Sequence, residues 1–356
     1  MDLKKFVKKS LFFLLFSSSM LSNSRAMNID IPLYSTKTNI NSNWLYLEDT
    51  TQDFSRILLA QDWKSIHLPH SWNSLDATDV TPGYRRNTSW YKKILRVAKK
   101  ENRVYQLYFE GVNVTSTVYV NGNKVGVHVG GYIGFTIDIS NEIKNGENTI
   151  YVKADNSYDP EIIPSQKSDF FIFGGITRDV WLLEKPTTYL KDLKYHTPKV
   201  SLKSATLVGS VVVVNPKKSM KVHATIRDHS GNIIAENSFD IHHGIANIHF
   251  SKIKHPKLWS TENPYLHSIN VDLLDDIKII DKISDKLGFR WFEFKKHGAF
   301  YLNGKRLLLR GTHRHEEHAG VGAAMSNEQH RADMELIKAM GANVVRLAHD
   351  LQDPER

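Results

Sequence analysis

The chain contains no cysteine in its 356 residues. That absence excludes a disulfide scaffold, a thiolate metal site, a cysteine nucleophile and a lipobox-type lipid anchor. Long apolar runs are missing as well. The longest, about 11 residues near the N-terminus, falls short of the ~20 that a membrane-spanning helix needs. There is no internal repeat and no low-complexity segment. Acidic charge is in deficit: 47 Lys and Arg face 38 Asp and Glu, a net charge of +9. Five of those cations and one Asp lie in residues 1–26, so the remainder carries only +5. This is a weak basis for binding nucleic acid. What is present is an ordinary globular composition, 41% hydrophobic and 24% charged, which excludes wholesale disorder and collagen-like structure. The length predicts two or three domains at ~100–200 residues each.

The N-terminus reads as a cleaved export signal. Lys4, Lys5, Lys8 and Lys9 form a positive region, residues 11–16 and 20–21 an apolar one. Ser24-Arg25-Ala26 places small residues at the −3 and −1 positions of a cleavage site. The mature chain is expected to begin near Met27, in a periplasm or outside the cell. The lack of cysteine is compatible with that compartment.

Between residues 44 and 183 the sequence consists of short alternating runs separated by turn residues. Residues 104–109, 115–120 and 148–154 alternate in period two, as half-buried strands do. Asn121-Gly122 sits where a type I′ hairpin turn needs two positive φ angles. No amphipathic helix is evident, and an antiparallel jelly roll is predicted. Lys185-Pro186 reads as a linker. Residues 206–214, 221–227, 233–239, 246–250 and 266–274 predict a second set of strands, spaced as in an immunoglobulin-like sandwich. His242-His243 falls between two of them and reads as a turn.

After Gly288 the pattern changes. Asn303-Gly304 marks a hairpin, and Leu307-Leu308-Leu309 reads as a strand buried on both faces. Ser326 and Gln329 form a capping box that opens a helix over 327–340, with Met334, Ile337 and Met340 on one stripe. Gly341 closes it, and 342–347 reads as a second buried strand. A strand–helix–strand unit is the building block of a parallel sheet or barrel.

Both strands run into polar clusters, Arg310-Gly311-Thr312-His313-Arg314-His315-Glu316-Glu317-His318 and Arg346-Leu347-Ala348-His349-Asp350. Ligands bind at the carboxyl ends of strands in such architectures. His315, Arg346 and His349 are therefore candidates for sugar hydroxyls or carboxylates. His318, Glu317 and His330 read as solvated loop or ordinary structural residues. Zinc held by His313, His315 and His318 or His349 is a rival reading, but the run lacks the His-Glu-x-x-His spacing.

Several motifs resemble glycoside hydrolase family 2, the β-galactosidase, β-glucuronidase and β-mannosidase family. Leu68-Pro69-His70-Ser71-Trp72-Asn73, Tyr108-Phe109-Glu110-Gly111-Val112, Val118-Tyr119-Val120-Asn121-Gly122 and Gly174-Gly175-Ile176-Thr177-Arg178-Asp179 resemble its sugar-binding jelly roll. Leu258-Trp259-Ser260-Thr261-Glu262-Asn263-Pro264-Tyr265 resembles the end of its immunoglobulin-like domain. Gly288-Phe289-Arg290, Leu302-Asn303-Gly304-Lys305 and Leu309-Arg310-Gly311 resemble the entry to its (β/α)8 TIM barrel. The implied architecture is a signal peptide (1–26), an all-β jelly roll (27–185), an immunoglobulin-like β-sandwich (186–287) and the start of a barrel (288–356).

The resemblance implies roles. Arg314-His315-Glu316 and the stretch from Asn343 to His349 match galactosidase motifs after the first two barrel strands. His315 and His349 would hydrogen-bond sugar hydroxyls, and Arg346 would steady the catalytic carboxylates. Asp169 matches an acidic residue that reaches the pocket from the jelly roll. Arg86 and Asn87 lie in a loop that does the same. His349-Asp350-Leu351 departs from the family's His-Tyr-Pro. No cofactor is required by the resemblance, which allows Mg2+ or Na+ near Asp169.

Retaining glycosidases need two carboxylates about 5–5.5 Å apart, and the family takes them from later barrel strands. Only 69 residues follow Leu287, against ~250 for a full barrel. No residue matches either carboxylate, so the expectation is an N-terminal piece of a longer enzyme, inactive alone. The leading reading is a β-galactosidase-like exo-glycosidase acting on a β-linked oligosaccharide or glycoside. A β-glucuronidase of the same family comes next, then a non-catalytic carbohydrate-binding protein, then a metal-dependent hydrolase. Nucleic acid and a membrane span are not expected, and no motif bears on oligomeric state.

Overall fold

A computed structural model describes residues 34–76, 78–163, 170–347 and 351–353. The predicted signal peptide, Asp169, His349 and Asp350 lie outside these described residues.

The first domain is two facing antiparallel sheets. One orders Thr36–Asn39, Val180–Pro186, Arg103–Phe109 and Phe135–Asp138. The other orders Lys64–Ile66, Trp44–Leu47, Thr88–Val97, Gly146–Asp155, Thr115–Val120 and Asn123–Val129. Period-two alternation does what it should. Tyr105, Leu107 and Phe109 point inward, fully buried against Val118 and Val152 of the opposing sheet. Asn121 (φ 50°) and Gly122 (φ 91°) make the predicted hairpin turn.

Two expectations fail here. A six-residue helix, Phe54–Leu59, forms where none was expected, capped by Asp53, whose carboxylate accepts from Ser55 N–H. It is too short for its periodicity to register, and its packing rather than its pattern holds it. Phe54 stacks on Tyr119 at 3.9 Å, and Ile57 is buried. Lys185-Pro186 is likewise no linker. Both residues end a strand paired with Arg103 and Val104, and the next strand starts at Tyr189. A proline is tolerated at that strand end because nothing there requires its missing N–H.

The second domain holds seven antiparallel strands, ordered Tyr189–Val200, Ser204–Val214, Ile245–Lys254, Ile233–His242, Met220–Arg227, His267–Asp275 and Lys278–Leu287. The strand Ile233–His242 gives its length to Met220–Arg227 but only Ile241 and His242 to the strand after it. The sheet therefore folds over into two layers around Leu207, Val211, Ile226, Ile248 and Val271. The turn falls at His243 (φ 50°) and Gly244 (φ 76°), one residue later than expected, because His242 still pairs with Ile245 as the last residue of its strand. Asp281 is buried and accepts from Leu190 N–H and from Ser35 N–H and Oγ, so it ties the first domain to the second.

The third segment begins with a small sheet, Phe292–Phe294, Phe300–Leu302 and Lys305–Arg306. Gly311–Arg314 then pairs in parallel with Val344–Leu347 across the helix Asn327–Ala339. Both halves of the predicted capping box are present between Ser326 and Gln329. The apolar run at 307–309 is not a strand. Leu308 is 66% exposed and its carbonyl accepts from the Asn343 side chain, which also receives Arg310 N–H. A side-chain clamp replaces the ladder, and pairing starts at Gly311, where a Cβ would lie 2.5 Å from Val344 Cγ1. Val344–Leu347 is mostly exposed, and so is Met340 of the expected stripe.

Candidate functional site

Four loops at one end of the jelly roll are held by two buried asparagines. Asn73 accepts from Gly174 N–H at 2.7 Å and donates to Asp76 and to Arg85 O. Asn156 is fully buried, donates to Ile172 O at 2.9 Å, and accepts from Asn87 N–H at 2.9 Å. A side-chain amide in a loop replaces the backbone partners that a sheet would supply. The Arg86 Nε donates to Asn156 O at 2.8 Å, and its guanidinium lies 5.8 Å over the Tyr84 ring. Tyr84 in turn packs on Phe171 at 4.6 Å and accepts from Ile172 N–H. The buried Oδ1 of Asn87 has no hydrogen-bond partner among the described residues.

The parallel strands end against this loop cluster. His313 and Arg346 are in register, both exposed. His315, half-buried, lies one residue past its strand with its ring 5.7 Å from Phe170. Phe170, on the jelly-roll side, is the described residue that meets His315. Arg86 reaches Phe171, next to Phe170, through the Tyr84 ring. The structure thus places His315 and Arg346 at adjacent strand ends, with the Arg86–Asn87 loop on the jelly-roll side. Among the described residues no three His, Asp or Glu side chains converge as a metal-ligand set.

Beneath the strand ends lies a buried ionic cluster that sequence reasoning missed. Arg178 Nη2 of the jelly roll sits 3.0 Å from Glu316 Oε2, and Arg314 Nη1 3.3 Å from Glu316 Oε1. Glu316 also accepts from Asp353 N–H at 3.1 Å, and Arg178 donates to Leu351 O and Tyr132 O. Arg314 reaches the helix through Asp333 at 2.7 Å and His330 Nδ1 at 3.0 Å. His330, expected to be unremarkable, is therefore a buried member of this cluster. Burial pushes its pKa below the usual histidine range; Asp353 opposes this, while Arg314 and Arg178 reinforce it. The neutral ring can then accept from the Arg314 guanidinium. Glu110, also buried, has its pKa raised by burial against the pull of Lys37.

The known proteins that share this arrangement identify it. Sequence models described as glycosyl hydrolases family 2 match consecutively: the sugar binding domain at residues 31–186, the central domain at 188–290, and the TIM barrel domain at 292–355. The chain belongs to glycosyl hydrolase family 2. A Formosa agariphila relative described as "Putative beta-glucuronidase" is 62% identical over 90% of this chain and 39% of its own length. A beta-galactosidase of Thermoanaerobacter pseudethanolicus is 33% identical over 87% of this chain and 43% of its own. The crystal structure of Bacteroides uniformis beta-glucuronidase superposes with a TM-score of 0.80 at 31% identity, covering 90% of this chain and 40% of that one. The chain spans about two-fifths of the length of these curated relatives.

Family membership also explains what was legible at the site. Arg178 stood inside a quoted motif, yet its partner lies 138 residues away. Only the adjacency of Arg314 and Glu316 to a strand end hinted at the pairing. Asn156 carried no signal beyond its position after an alternating run.

Proposed function

We propose that this chain binds the terminal sugar of a β-glycoside and belongs to the machinery of a retaining exo-glycosidase, with a β-glucuronide as substrate. The observation that carries this is the contact of His315, one residue past its strand, with Phe170 of the jelly roll, beside the parallel strand that carries Arg346. Glucuronide rather than galactoside is supported by the 62% identity to the Formosa agariphila relative, which reverses the order that motif resemblance suggested. His315 and His349 would meet sugar hydroxyls, Arg346 would steady catalytic carboxylates, and Asp169, Arg86 and Asn87 would close the pocket. Domain limits near 186 and 287 are supported by strand ends at Pro186 and Leu287. The lysine-rich leader supports export. Among the described residues no helix is long and apolar enough to cross a membrane.

Turnover by the 356 residues alone is not expected. A retaining mechanism needs two free carboxylates, whereas Glu316 is committed to Arg178 and Arg314 and Asp353 sits 4.0 Å from Arg178. Sugar binding is therefore the direct readout. Calorimetric titration with a non-hydrolysable aryl β-thioglucuronide and its β-thiogalactoside counterpart decides the matter. Tighter glucuronide binding, weakened by His315→Ala, is expected. Preference for the galactoside would restore the first ranking, and no binding to either would sink the pocket.

A further inference from the structure

One layer of the second domain is strongly polarised. Its strands and turns over 189–214 and 244–257 hold Lys191, Lys194, Lys199, Lys203, Lys252, Lys254 and Lys257 against a single acid, Asp192, which pairs with Lys191 at 3.6 Å. The other layer interleaves its lysines with Asp272, Asp275, Asp281 and Asp285. On the outer face of the cationic layer, register aligns Lys194, Ser210 and Asn247 on three consecutive strands. His196, Val208 and His249 form the next row, about 7 Å along the strands. Between them runs a shallow groove of about 360 Å³ lined by Lys194, His196, Ser210 and Asn247. Lys194, Lys199 and Lys254 are exposed and have no ion-pair partner among the described residues.

We propose that this face docks an anionic polysaccharide, with lysine ammonium groups on its carboxylates and Ser210 and Asn247 on its hydroxyls. The choice of a uronate-bearing polymer rests on the glucuronidase reading; the polarised face does not. Repulsion among unpaired lysines is relieved by a polyanion, and the attraction is screened as salt rises through the Debye range. Nucleic acid fits less well, because stacking on aromatic rings is its usual second hold. The one aromatic lining the groove, Tyr195, has its hydroxyl tied to Asp285 and Lys286 O. Amide and hydroxyl donors beside cations suit a hydroxylated, carboxylated chain.

Affinity electrophoresis of the whole chain in gels containing polygalacturonate, dextran sulfate or neutral dextran tests the proposal, with single-stranded DNA as a further arm. Retardation by polygalacturonate but not by neutral dextran is expected. At about 1 kcal/mol for each lysine near an anionic surface, the triple variant Lys194→Ala, Lys199→Ala, Lys254→Ala should bind roughly hundredfold more weakly. The triple variant Lys278→Ala, Lys282→Ala, Lys286→Ala removes the same charge from the other layer and should bind as the parent does. Retardation by dextran sulfate as well keeps the surface and widens the anion. Equal loss in both variants, no retardation by polygalacturonate, or tighter binding of DNA than of either polymer would overturn it. Thioglucuronide binding measured on the same variants separates the two readings, since the strand-end pocket should be untouched by the lysine changes.

Discussion

Arg178 and Glu316, 138 residues apart, form a buried ion pair with Nη2 and Oε2 3.0 Å apart and each side chain 6% exposed. It fastens the jelly roll to the segment that follows the first barrel strand, at the residue after His315. Glu316 stands between two guanidinium groups, and its oxygens also take Asp353 N–H. Removing it takes away the carboxylate the two buried arginines share, leaving Arg314 to Asp333 alone and Arg178 to Asp353 at 4.0 Å. Breaking a buried pair in this way costs about 3–5 kcal/mol. Glu316→Ala should therefore lower the urea midpoint strongly, and Glu316→Gln, which keeps acceptor capacity but loses the charge, should fall between. A change below about 1 kcal/mol in Glu316→Ala would mean the arginines find other partners.

How much of this was readable beforehand differs by element. The strand Arg103–Phe109 and the turn at Asn121-Gly122 follow from local pattern because one face is buried and the turn needs positive φ. The strand Tyr189–Val200 was missed because lysines and Pro198 interrupt its text, and its outer face needs no apolar residue. Leu307-Leu308-Leu309 misled for the opposite reason: apolar content alone specifies no ladder, and the Asn343 clamp supplies the backbone partners instead. His315 and Arg346 were legible as strand-end residues. Their supports, Asn73, Asn156 and Arg178, act over distances that one-dimensional spacing does not encode.

His70 gives a pH signature to the jelly roll. Its Nδ1 lies 2.9 Å from the Tyr91 hydroxyl, which burial holds protonated well above pH 10. Burial lowers the His70 pKa from 6.5 to about 4. The folded state thus prefers the neutral ring, so this contribution is complete above pH 6.5. It declines as pH falls from 6.5 towards 4 and is gone below, a loss of up to about 3 kcal/mol. Urea midpoints at pH 7.5 and 4.5 should separate more for the parent than for His70→Gln. Equal separation in the two proteins would remove His70 from the account.

Gly175 joins that pair to the loop cluster. Its φ is +133°, and a Cβ there would sit 2.3 Å from His70 O and 2.8 Å from the Tyr91 hydroxyl. Backbone strain and overpacking each cost about 1–3 kcal/mol. Gly175→Ala should lower stability by about 3 kcal/mol or more, whereas Gly122→Ala, with open space around it, pays only the positive-φ cost of about 1–2 kcal/mol. Comparable midpoints for the two variants would contradict the steric reasoning.

Asn87 separates stability from binding. Its buried Oδ1 meets no donor among the described residues, a condition that costs about 1–3 kcal/mol when the atom is kept from water. A ligand hydroxyl donating to it would recover that cost on binding. Asn87→Ala should accordingly leave thermal stability unchanged or raise it, while weakening thioglucuronide binding about tenfold or less, as expected for one net hydrogen bond of about 1 kcal/mol. Arg346→Ala, at an exposed position, should also stay within about 0.5 kcal/mol of parental stability. If Asn87→Ala instead unfolds the loop, its side chain braces the loop rather than facing the sugar, since the backbone N–H that Asn156 accepts survives the change. Proteolytic sensitivity within residues 156–163, followed on the same variant, tells these two outcomes apart.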